Sequence, residues 1–300
     1  MKSIAVFNNK GGVGKSTLTL LIADFFSSTS VKVNGRAPRV LVVDLDAQNS
    51  SGTALVGQQA VQDRQTQGLS VGDLLERLLR LQRPSLPDYL ITRPVSDTRT
   101  RKIRLAELWA LISDDEATLR LEEKYRDRIP IAIHERLLPM LKDAFDIVIF
   151  DLPANIDRRN FLPMAALGAA DFILTPTEPS RITINAMSKT FDIVRDVQGA
   201  ARQAGHPVPR IVGVVLNKTD RRTRQYSLHA DEIRLLAANN DSLVFRHFLP
   251  SAPALANAAD DSLEFDTLRE RYDSYYDHVR KVARELAERC GLVGGAHARS

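Results

Sequence analysis

The sequence predicts an α/β fold, a single domain whose doubly wound and mostly parallel sheet carries helices on both faces. Short runs rich in Val, Ile and Phe are nearly continuous in their hydrophobicity, as strands covered on both faces must be. Longer amphipathic segments of helical period alternate with these runs, an order typical of βαβ units. The chain of 300 residues is 44% hydrophobic and 26% charged, which supports one large core.

The hydrophobic runs give the strands in order along the chain. The predicted strands are residues 4–7, 39–44, 146–151, 172–176 and 211–217. The predicted helices between them are residues 15–28, 71–82, 133–144 and 183–197. Ser70 is placed to cap the second of these helices, with Asp73 in its first turn. In a sheet of this kind, ligands bind outside the carboxyl ends of the strands.

The chain between the second and third predicted strands lacks that regularity. Residues 58–68 are polar and are expected to form an exposed loop. Residues 84–101 contain three prolines and are expected to be irregular surface chain. We interpret residues 58–130 as an elaboration within one domain that extends over residues 1–290. A flexible tail is expected at residues 291–300.

Charge and cysteine content narrow the class of protein. Lys and Arg outnumber Asp and Glu by 41 to 37, and the net charge of +4 is compatible with a polyanionic partner without requiring one. The single cysteine, Cys290, excludes an intramolecular disulfide and, within one chain, a structural zinc site or an iron–sulfur cluster. The first apolar run is too short for a signal peptide, and no stretch approaches the ~20 apolar residues that cross a bilayer. We therefore expect a cytoplasmic protein without a membrane partner.

The strongest functional signal is the glycine-rich run at residues 7–17, FNNKGGVGKST, which follows a predicted strand and opens a predicted helix. Glycines allow backbone N–H groups to turn towards phosphate oxygens, and the helix presents its positive end to the same charge. Lys15 is expected to neutralise the β- and γ-phosphates, and the Ser16 hydroxyl to bind Mg²⁺. The predicted phosphate-binding residues are Gly11, Gly12, Val13, Gly14, Lys15, Ser16 and Thr17.

Two positions depart from the ordinary phosphate-binding loop, because Asn9 replaces its usual first glycine and Lys10 follows. The run resembles the deviant Walker A motif, Lys-Gly-Gly-x-Gly-Lys-[Ser/Thr], of the ParA/MinD family. The resemblance implies ATP and Mg²⁺ as cofactors. It also implies an ATP-dependent homodimer in which Lys10 reaches the phosphates of the partner, with Lys10, Lys15 and Asp46 as the catalytic residues.

Two acidic motifs extend the resemblance. Residues 40–48, VLVVDLDAQ, are similar to the family's Asp-x-Asp-Pro-Gln motif, with alanine in place of proline. By that resemblance Asp46 orients the attacking water and Asp44 lies near the metal. Residues 147–151, IVIFD, form a Walker B pattern whose buried strand delivers Asp151 to the Mg²⁺. The residues that follow match the family's Pro-rich switch only in part.

A fourth motif, residues 214–223, ends in Asp-x-Arg-Thr and is similar to the family segment that lies near the base. The resemblance implies that Asn217 and Lys218 bind the nucleotide. It also implicates the arginine of that motif in non-specific DNA binding, together with the basic residues beside it. The predicted DNA contacts are Arg221, Arg222 and Arg224.

Part of the family's DNA-binding pattern is missing. Where many relatives carry Pro-Arg-Asn-x-Arg, this chain has PSAPA at residues 250–254, so one usual set of phosphate contacts is absent. No helix–turn–helix precedes the glycine-rich run, so we expect no sequence-specific reader.

Other members and relatives of the fold offer alternative interpretations. Residues 217–220, Asn-Lys-Thr-Asp, also match the guanine signature of GTPases, in which the aspartate accepts two N–H groups of the base. We favour ATP because Lys10 marks the ATPase branch.

A bacterial tyrosine kinase is a further alternative, because the chain has a tyrosine cluster near its carboxyl end at Tyr272, Tyr275 and Tyr276. These tyrosines fall on one helical face with apolar neighbours, so we interpret them as packing residues. The glycine-broken carboxyl end does not suit a membrane-binding helix, and one cysteine does not suit nitrogenase-iron-protein chemistry.

We therefore predict a ParA-like ATPase whose ATP-bound sandwich dimer binds DNA non-specifically, associates with the nucleoid and positions or partitions a cargo. The cargo is expected to be a plasmid, a chromosome region or a large complex. A ParB-like or other adaptor is expected to stimulate a weak intrinsic hydrolysis. Two alternatives stay open: a GTP-regulated switch acting on a protein partner, and a small-molecule ligase or kinase on the same fold.

Overall fold

The hydrophobic runs of the sequence form the central strands of a seven-stranded sheet. The computed structural model describes residues 1–28, 32–33, 35–93, 108–251 and 267–293. The strands are β1 (Lys2–Val6), β2 (Val40–Asp44), β3 (Ile91–Thr92), β4 (Leu108–Leu111), β5 (Ile147–Asp151), β6 (Phe172–Thr177) and β7 (Arg210–Leu216). Their order is β3-β4-β2-β5-β1-β6-β7, and each neighbouring pair is parallel except β3 with β4. The predicted mostly parallel sheet is confirmed.

Helices cover both faces of this sheet. In chain order they are α1 (Lys15–Ser27), α2 (Ser50–Val56), α3 (Gln58–Thr66), α4 (Val71–Leu79), α5 (Leu86–Tyr89), α6 (Asp115–Tyr125), α7 (Ile129–Ala132), α8 (Leu138–Ala144), α9 (Phe161–Ala169), α10 (Arg181–Gln203), α11 (Arg224–Ala238), α12 (Leu268–Tyr272) and α13 (Tyr276–Arg289). One apolar core packs α1, α2, α3, α12 and α13 against the sheet, and a second packs α4 through α10 on the opposite face. A smaller core joins α10 and α11 to β7. The doubly wound architecture is thereby confirmed.

The five strands predicted from hydrophobicity occur within two residues of their expected bounds. The sheet also has two short strands at one edge, β3 and β4, that the sequence did not predict. Runs of two and four residues carry too little alternation to be recognised as strands. Of the irregular chain predicted at residues 84–101, residues 84–93 contain α5 and β3, and residues 94–101 lie outside the described residues.

The prediction of an exposed loop at residues 58–68 is wrong, because this segment forms α3. Val61 is the one fully buried residue of α3, so its other residues face water wholly or in part. The Gln59 side chain donates a hydrogen bond to Asp63 one turn later, at 2.8 Å, and pairs of this spacing support an exposed helix. The polar composition concealed the helix, because helical periodicity is detected from apolar residues and this helix buries a single one.

The other predicted helices are present with adjusted ends. The helix predicted at residues 71–82 is α4, and its Ser70 cap is confirmed as a capping box with Asp73. The helix predicted at residues 133–144 comprises a π-helical turn and α8, and α7 precedes it without a break. The helix predicted at residues 183–197 is the middle of the longer α10.

The carboxyl-terminal tyrosines lie on a packing face, as the helical spacing predicts. Tyr272 is 1% exposed, and Tyr275 and Tyr276 pack, partly buried, against the same core. The apolar residues of the stripe are buried as well: Leu268, Val279, Ala283 and Leu286. The packing interpretation is confirmed.

Two further expectations concern the membrane and the chain end. Among the described residues, no helix combines the length and the apolar character needed to span a membrane. Of the tail predicted at residues 291–300, residues 294–300 lie outside the described part of the chain.

A fully buried carboxylate, Asp24 on α1, joins three separate segments of the chain. It accepts hydrogen bonds from Arg93, which follows β3, and from the Tyr272 hydroxyl on α12 at 2.5 Å. The Arg271 guanidinium lies 3.5 Å from the same carboxylate. Because a buried charge is stable only when it is paired, this cluster connects the helix after the glycine-rich run to the edge of the sheet and to the last helices.

Removing the Asp24 carboxylate should lower the free energy of unfolding by about 3 to 5 kcal/mol, because two largely buried arginines would lose this counter-charge. We expect this loss for Asp24→Ala in urea denaturation followed by circular dichroism. Tyr272→Phe removes one hydrogen bond from the cluster and should lower the free energy of unfolding by about 1 to 2 kcal/mol.

Asp192→Ala is the matched control, because Asp192 forms an exposed ion pair with Arg195 on α10. Exposed pairs contribute little, so this variant should leave the free energy of unfolding nearly unchanged. Equal losses in Asp24→Ala and Asp192→Ala would contradict the role assigned to the buried cluster.

Candidate nucleotide-binding site

The glycine-rich run joins β1 to α1 at the carboxyl edge of the sheet. Gly14 immediately precedes α1 with a φ of 85°, and a Cβ there would lie 2.2 Å from the Asn217 amide nitrogen, so the position requires glycine. Gly14 also has no side chain to cap the first turn of the helix. The first N–H groups of α1 are therefore available to an anionic ligand, as at other helix N-termini that bind phosphate.

The two lysines of the run have different surroundings. Lys15 is 7% exposed, and its ammonium donates a hydrogen bond to the Lys10 carbonyl at 3.3 Å. Burial lowers the pKa of Lys15, whereas the nearby carboxylates of Asp151 and Asp46 raise it. The Lys10 side chain is partly exposed and, within the described residues, has no hydrogen-bond or ion-pair partner. One lysine therefore belongs to the interior of the site, and the other is available to a second molecule.

Two buried carboxylates lie side by side at the ends of β2 and β5. Asp44 and Asp151 are register partners, and both are fully buried. Burial raises the pKa of each, and the charge of Asp44 raises the pKa of Asp151 further. Asp44 accepts hydrogen bonds from the Ser51 hydroxyl at 2.7 Å and from the Gly52 N–H at 2.8 Å. Neither oxygen of Asp151 accepts a hydrogen bond of normal length and angle within the described chain, although the hydroxyls of Ser16 and Ser51 are near enough to lower its pKa.

A divalent cation fits this arrangement. A buried carboxylate without partners is unfavourable unless it is protonated or meets a positive charge, and Asp151 lies near the Ser16 hydroxyl in the first turn of α1. Oxygen ligands with few carboxylates suit Mg²⁺, which keeps water and phosphate oxygens as its other ligands. Ser16 and Asp151 would hold the ion, with Asp44 as the neighbouring carboxylate. Among the described residues, no group of three or more His, Cys, Asp or Glu is placed to hold a metal ion by itself.

Asp46 lies in the turn that follows β2. Its N–H donates to the Asp44 carboxylate at 3.1 Å, and its own carboxylate accepts from the Gln48 N–H at 3.1 Å. Asn49 holds this turn from outside, because its side-chain amide exchanges two hydrogen bonds of 2.9 Å with the backbone of Ser113. Nothing in the sequence indicates this pair, since its members are 64 residues apart. Asn49 itself adopts the left-handed conformation, which asparagine tolerates.

The residues after β7 hold the glycine-rich run in place. The Asn217 side chain donates to the Val13 carbonyl at 2.8 Å, and the Lys218 ammonium donates to the Gly12 carbonyl at 2.5 Å. Lys218 also forms an ion pair of 3.1 Å with Glu178, which follows β6. The structure therefore brings both predicted nucleotide residues to the phosphate loop. Glu178 is a member of this group that the sequence did not indicate.

The three arginines predicted to contact DNA lie together beyond β7, and two of them are already engaged. Arg222 forms an ion pair of 2.9 Å with Asp220. The Arg221 guanidinium lies 5.6 Å from the centre of the Tyr226 ring. Arg224 is the exposed first residue of α11. The cluster is therefore less positive than its arginine count suggests.

The segment without the family's usual arginines, residues 250–254, is described only at its first two positions. Pro250 forms an isolated bridge with Thr219 beside the end of β7, so Pro250 itself adjoins the same edge of the sheet. Residues 252–254 lie outside the described residues.

A separate cleft of about 690 Å³ lies between α7, α9 and α10. Its lining includes the stacked rings of His134 and His206, whose centres are 4.0 Å apart. None of the predicted nucleotide or DNA residues lines this cleft, so it is distinct from the phosphate loop.

Known proteins are similar to this chain in sequence. The AAA_31 family, described as an AAA domain, matches residues 1–204. The chain is also similar to the chromosome-partitioning ATPase Soj of Treponema pallidum, at 24% identity over 295 residues. That similarity covers 97% of this chain and 98% of the relative.

Two solved structures share the fold. An ATP complex of a McdA variant from Cyanothece superimposes with a TM-score of 0.69 at 17% identity, over 99% of both chains. The ParA of pNOB8 bound to nonspecific DNA has a TM-score of 0.65 at 19% identity, over 98% of this chain and 99% of that chain. Because the family match spans more than half of the sequence, the chain belongs to the AAA_31 family of AAA domains and is a ParA/MinD-type ATPase.

Proposed function

We propose that this protein is a ParA-like ATPase that forms an ATP-dependent sandwich dimer, binds DNA non-specifically and positions or partitions a cargo. The proposal is carried by the contrast between the two lysines of the phosphate loop. Lys15 is buried in the loop, where it would meet the charge of a nucleotide bound to its own chain. Lys10 has no partner within the described residues, and the phosphates held by a second copy would supply its counter-charge.

ATP binding uses the N–H groups at the start of α1 together with Lys15, which all direct positive charge at the phosphates. Mg²⁺, when bound through Ser16 and Asp151, would neutralise part of the phosphate charge. We propose that the Asp46 carboxylate orients the attacking water, because it lies in a turn fixed by Asn49. The transition state spreads negative charge over the transferred group, so groups that are already in position contribute most of the acceleration.

The relatives support a role in positioning. The similar protein of Treponema pallidum is named a chromosome-partitioning ATPase, and one fold neighbour is a ParA bound to nonspecific DNA. A dimer that forms with ATP would hold DNA, and hydrolysis would release it. If intrinsic hydrolysis is weak, a ParB-like or other adaptor that stimulates it would determine where and when release occurs. The cargo would be a plasmid, a chromosome region or a large complex, moved over the nucleoid.

The proposed DNA surface is the arginine cluster beyond β7. Its members are Arg221, Arg222 and Arg224. Asp220 offsets the charge of one arginine, so the cluster of one chain carries two net positive charges. A dimer that brings two clusters to one face would double that charge, and binding to phosphates would then depend on ATP.

Mg-ATP should bind more tightly than Mg-GTP, and Lys15→Ala should weaken ATP binding by at least about tenfold, because a buried charge-assisted contact to phosphate is lost. Isothermal titration calorimetry measures both affinities. Lys142→Ala is the control, since Lys142 is an exposed lysine of α8 outside the site, and it should bind as the wild type does. Equal or tighter binding of GTP would contradict this proposal and favour the GTP-regulated switch.

Asp46→Ala should bind ATP with nearly wild-type affinity and accumulate as a dimer, because the change affects the chemical step more than the ground state. Lys10→Ala should bind ATP in its own site and fail to form the productive dimer. Multi-angle light scattering after gel filtration in ATP gives the mass, and phosphate release gives the rate.

A wild-type protein that stays monomeric in ATP at every concentration, with Asp46→Ala behaving alike, would rule out the sandwich mechanism. Transfer of phosphate to a small-molecule acceptor in the absence of DNA would instead favour the ligase or kinase alternative.

Binding to duplex DNA should require ATP and weaken steeply with salt, because counterions return to the duplex. Arg224→Ala should lower the affinity for two unrelated duplexes by similar factors and reduce the salt slope by about one per chain. Asp220→Ala should raise the affinity, because it removes the negative charge that offsets Arg222. Fluorescence anisotropy at several salt concentrations measures each effect.

Asp157→Ala is the matched control, since Asp157 pairs with Arg159 in the same way after β5, away from the cluster. It changes the net charge by the same amount and should leave DNA affinity close to that of the wild type. Binding that ignores ATP, or an equal gain in both aspartate variants, would contradict the assignment of this surface.

A further inference from the structure

Asp220 lies at the same edge of the sheet as the phosphate loop. The side chains of Asn217 and Lys218 both reach carbonyls of that loop, and Lys218 has a φ of 50°, which turns the chain directly after β7. Thr219 is then fixed by a backbone hydrogen bond to Leu249 at 3.1 Å. Asp220 is the next residue, two positions after Lys218, whose ammonium reaches the phosphate loop.

Arg222 occupies this carboxylate. Its N–H and its Nε each donate a hydrogen bond of 3.0 Å to Oδ1 of Asp220, and its Nη2 donates one of 2.9 Å to Oδ2. The guanidinium therefore engages both oxygens as a fork. These bonds lower the pKa of Asp220 to about 2, so at neutral pH the carboxylate is ionised and only accepts hydrogen bonds.

A guanidinium and the edge of guanine present the same pattern to a carboxylate. Guanine carries its N1–H and 2-amino group side by side, as the guanidinium carries Nε–H and Nη–H, and either pair matches two carboxylate oxygens. Adenine has a bare ring nitrogen where guanine has N1–H, so an ionised carboxylate facing adenine would meet a lone pair. A free Asp220 would therefore favour guanine over adenine, whereas an occupied Asp220 favours neither.

We propose that Arg222 influences the base preference of this site by occupying Asp220, which removes the contact through which the run Asn-Lys-Thr-Asp would favour GTP. The inference rests on the proposed ATPase function and specifies how its site selects the base. Arg222 is part of the same chain as Asp220, so its effective concentration there is in the millimolar range or above and competes with a nucleotide in solution.

A second pair in the molecule provides a matched control. Arg159 bonds to Asp157 through its N–H at 2.8 Å and its Nη2 at 2.7 Å, with the same spacing of two residues. Both arginine side chains are 90% exposed, so replacing either one should leave the fold intact. The Asp157 pair follows β5 instead of β7. Arg159→Ala therefore removes the same kind of interaction at a different place.

The affinities of the full chain for Mg-ATP and Mg-GTP, measured by calorimetry without DNA, test the inference. Arg222→Ala should shift the ratio of the two dissociation constants towards GTP by about tenfold, through tighter GTP and weaker ATP binding. Mg-ITP lacks the 2-amino group and should gain less than GTP. Arg159→Ala should keep the wild-type ratio, and the double variant Asp220→Ala with Arg222→Ala should lose the gain for GTP.

An unchanged ratio in Arg222→Ala, with ATP still bound through Lys15, would overturn the role of Arg222 and leave the ATPase proposal intact. An equal shift in Arg159→Ala would overturn it as well, because the ratio would then follow net charge and not Asp220. A wild-type chain that binds neither nucleotide would overturn both the inference and the proposed function.

Discussion

The register of the central parallel strands is the constraint on which the site depends. It places the carboxylates of Asp44 and Asp151 next to each other inside the sheet and sets Val6, the last residue of β1, beside Asp151 on the other side. Two buried like charges repel strongly where the effective dielectric constant is low. Asp44 is stabilised by its hydrogen bonds, whereas Asp151 accepts none of normal geometry in the described chain. A cation bound together with a phosphate would supply the positive charge that Asp151 lacks.

The loops around these carboxylates are held by hydrogen bonds from residues far away in the sequence. Asn49 fixes the turn of Asp46 through Ser113, and Asn217 fixes the phosphate loop from the end of another strand. Each contact satisfies backbone groups that the loops cannot pair among themselves. The site is consequently shaped before a nucleotide arrives, and less ordering entropy is lost when it binds.

Charge on the surface is arranged in local pairs as well. Asp220 with Arg222 and Asp157 with Arg159 use the same fork geometry, the first pair after β7 and the second after β5. The Asp220–Arg222 pair reduces the field that a polyanion would feel at the basic cluster, so the number of arginines there overstates the attraction. Because Arg222 occupies Asp220, this carboxylate is open to a nucleotide base only when the arginine leaves it. Arg222 also belongs to the proposed DNA surface, so base preference and DNA binding would involve the same residue.

The five core strands and the phosphate loop could be predicted from the sequence, because hydrophobic runs and the glycine–lysine spacing are patterns within about a dozen residues. It did not reveal α3, which buries only Val61, or the two edge strands, which are too short to show a period. The folded structure was needed to show that Asp44 accepts several hydrogen bonds whereas Asp151 accepts none of normal geometry in the described chain, and that Asp220 holds Arg222. The physical reason is that burial and pairing depend on which groups meet in space. A side chain's type and position in the sequence specify what it can bond to, and the packing of segments far apart in the chain decides whether a partner is there.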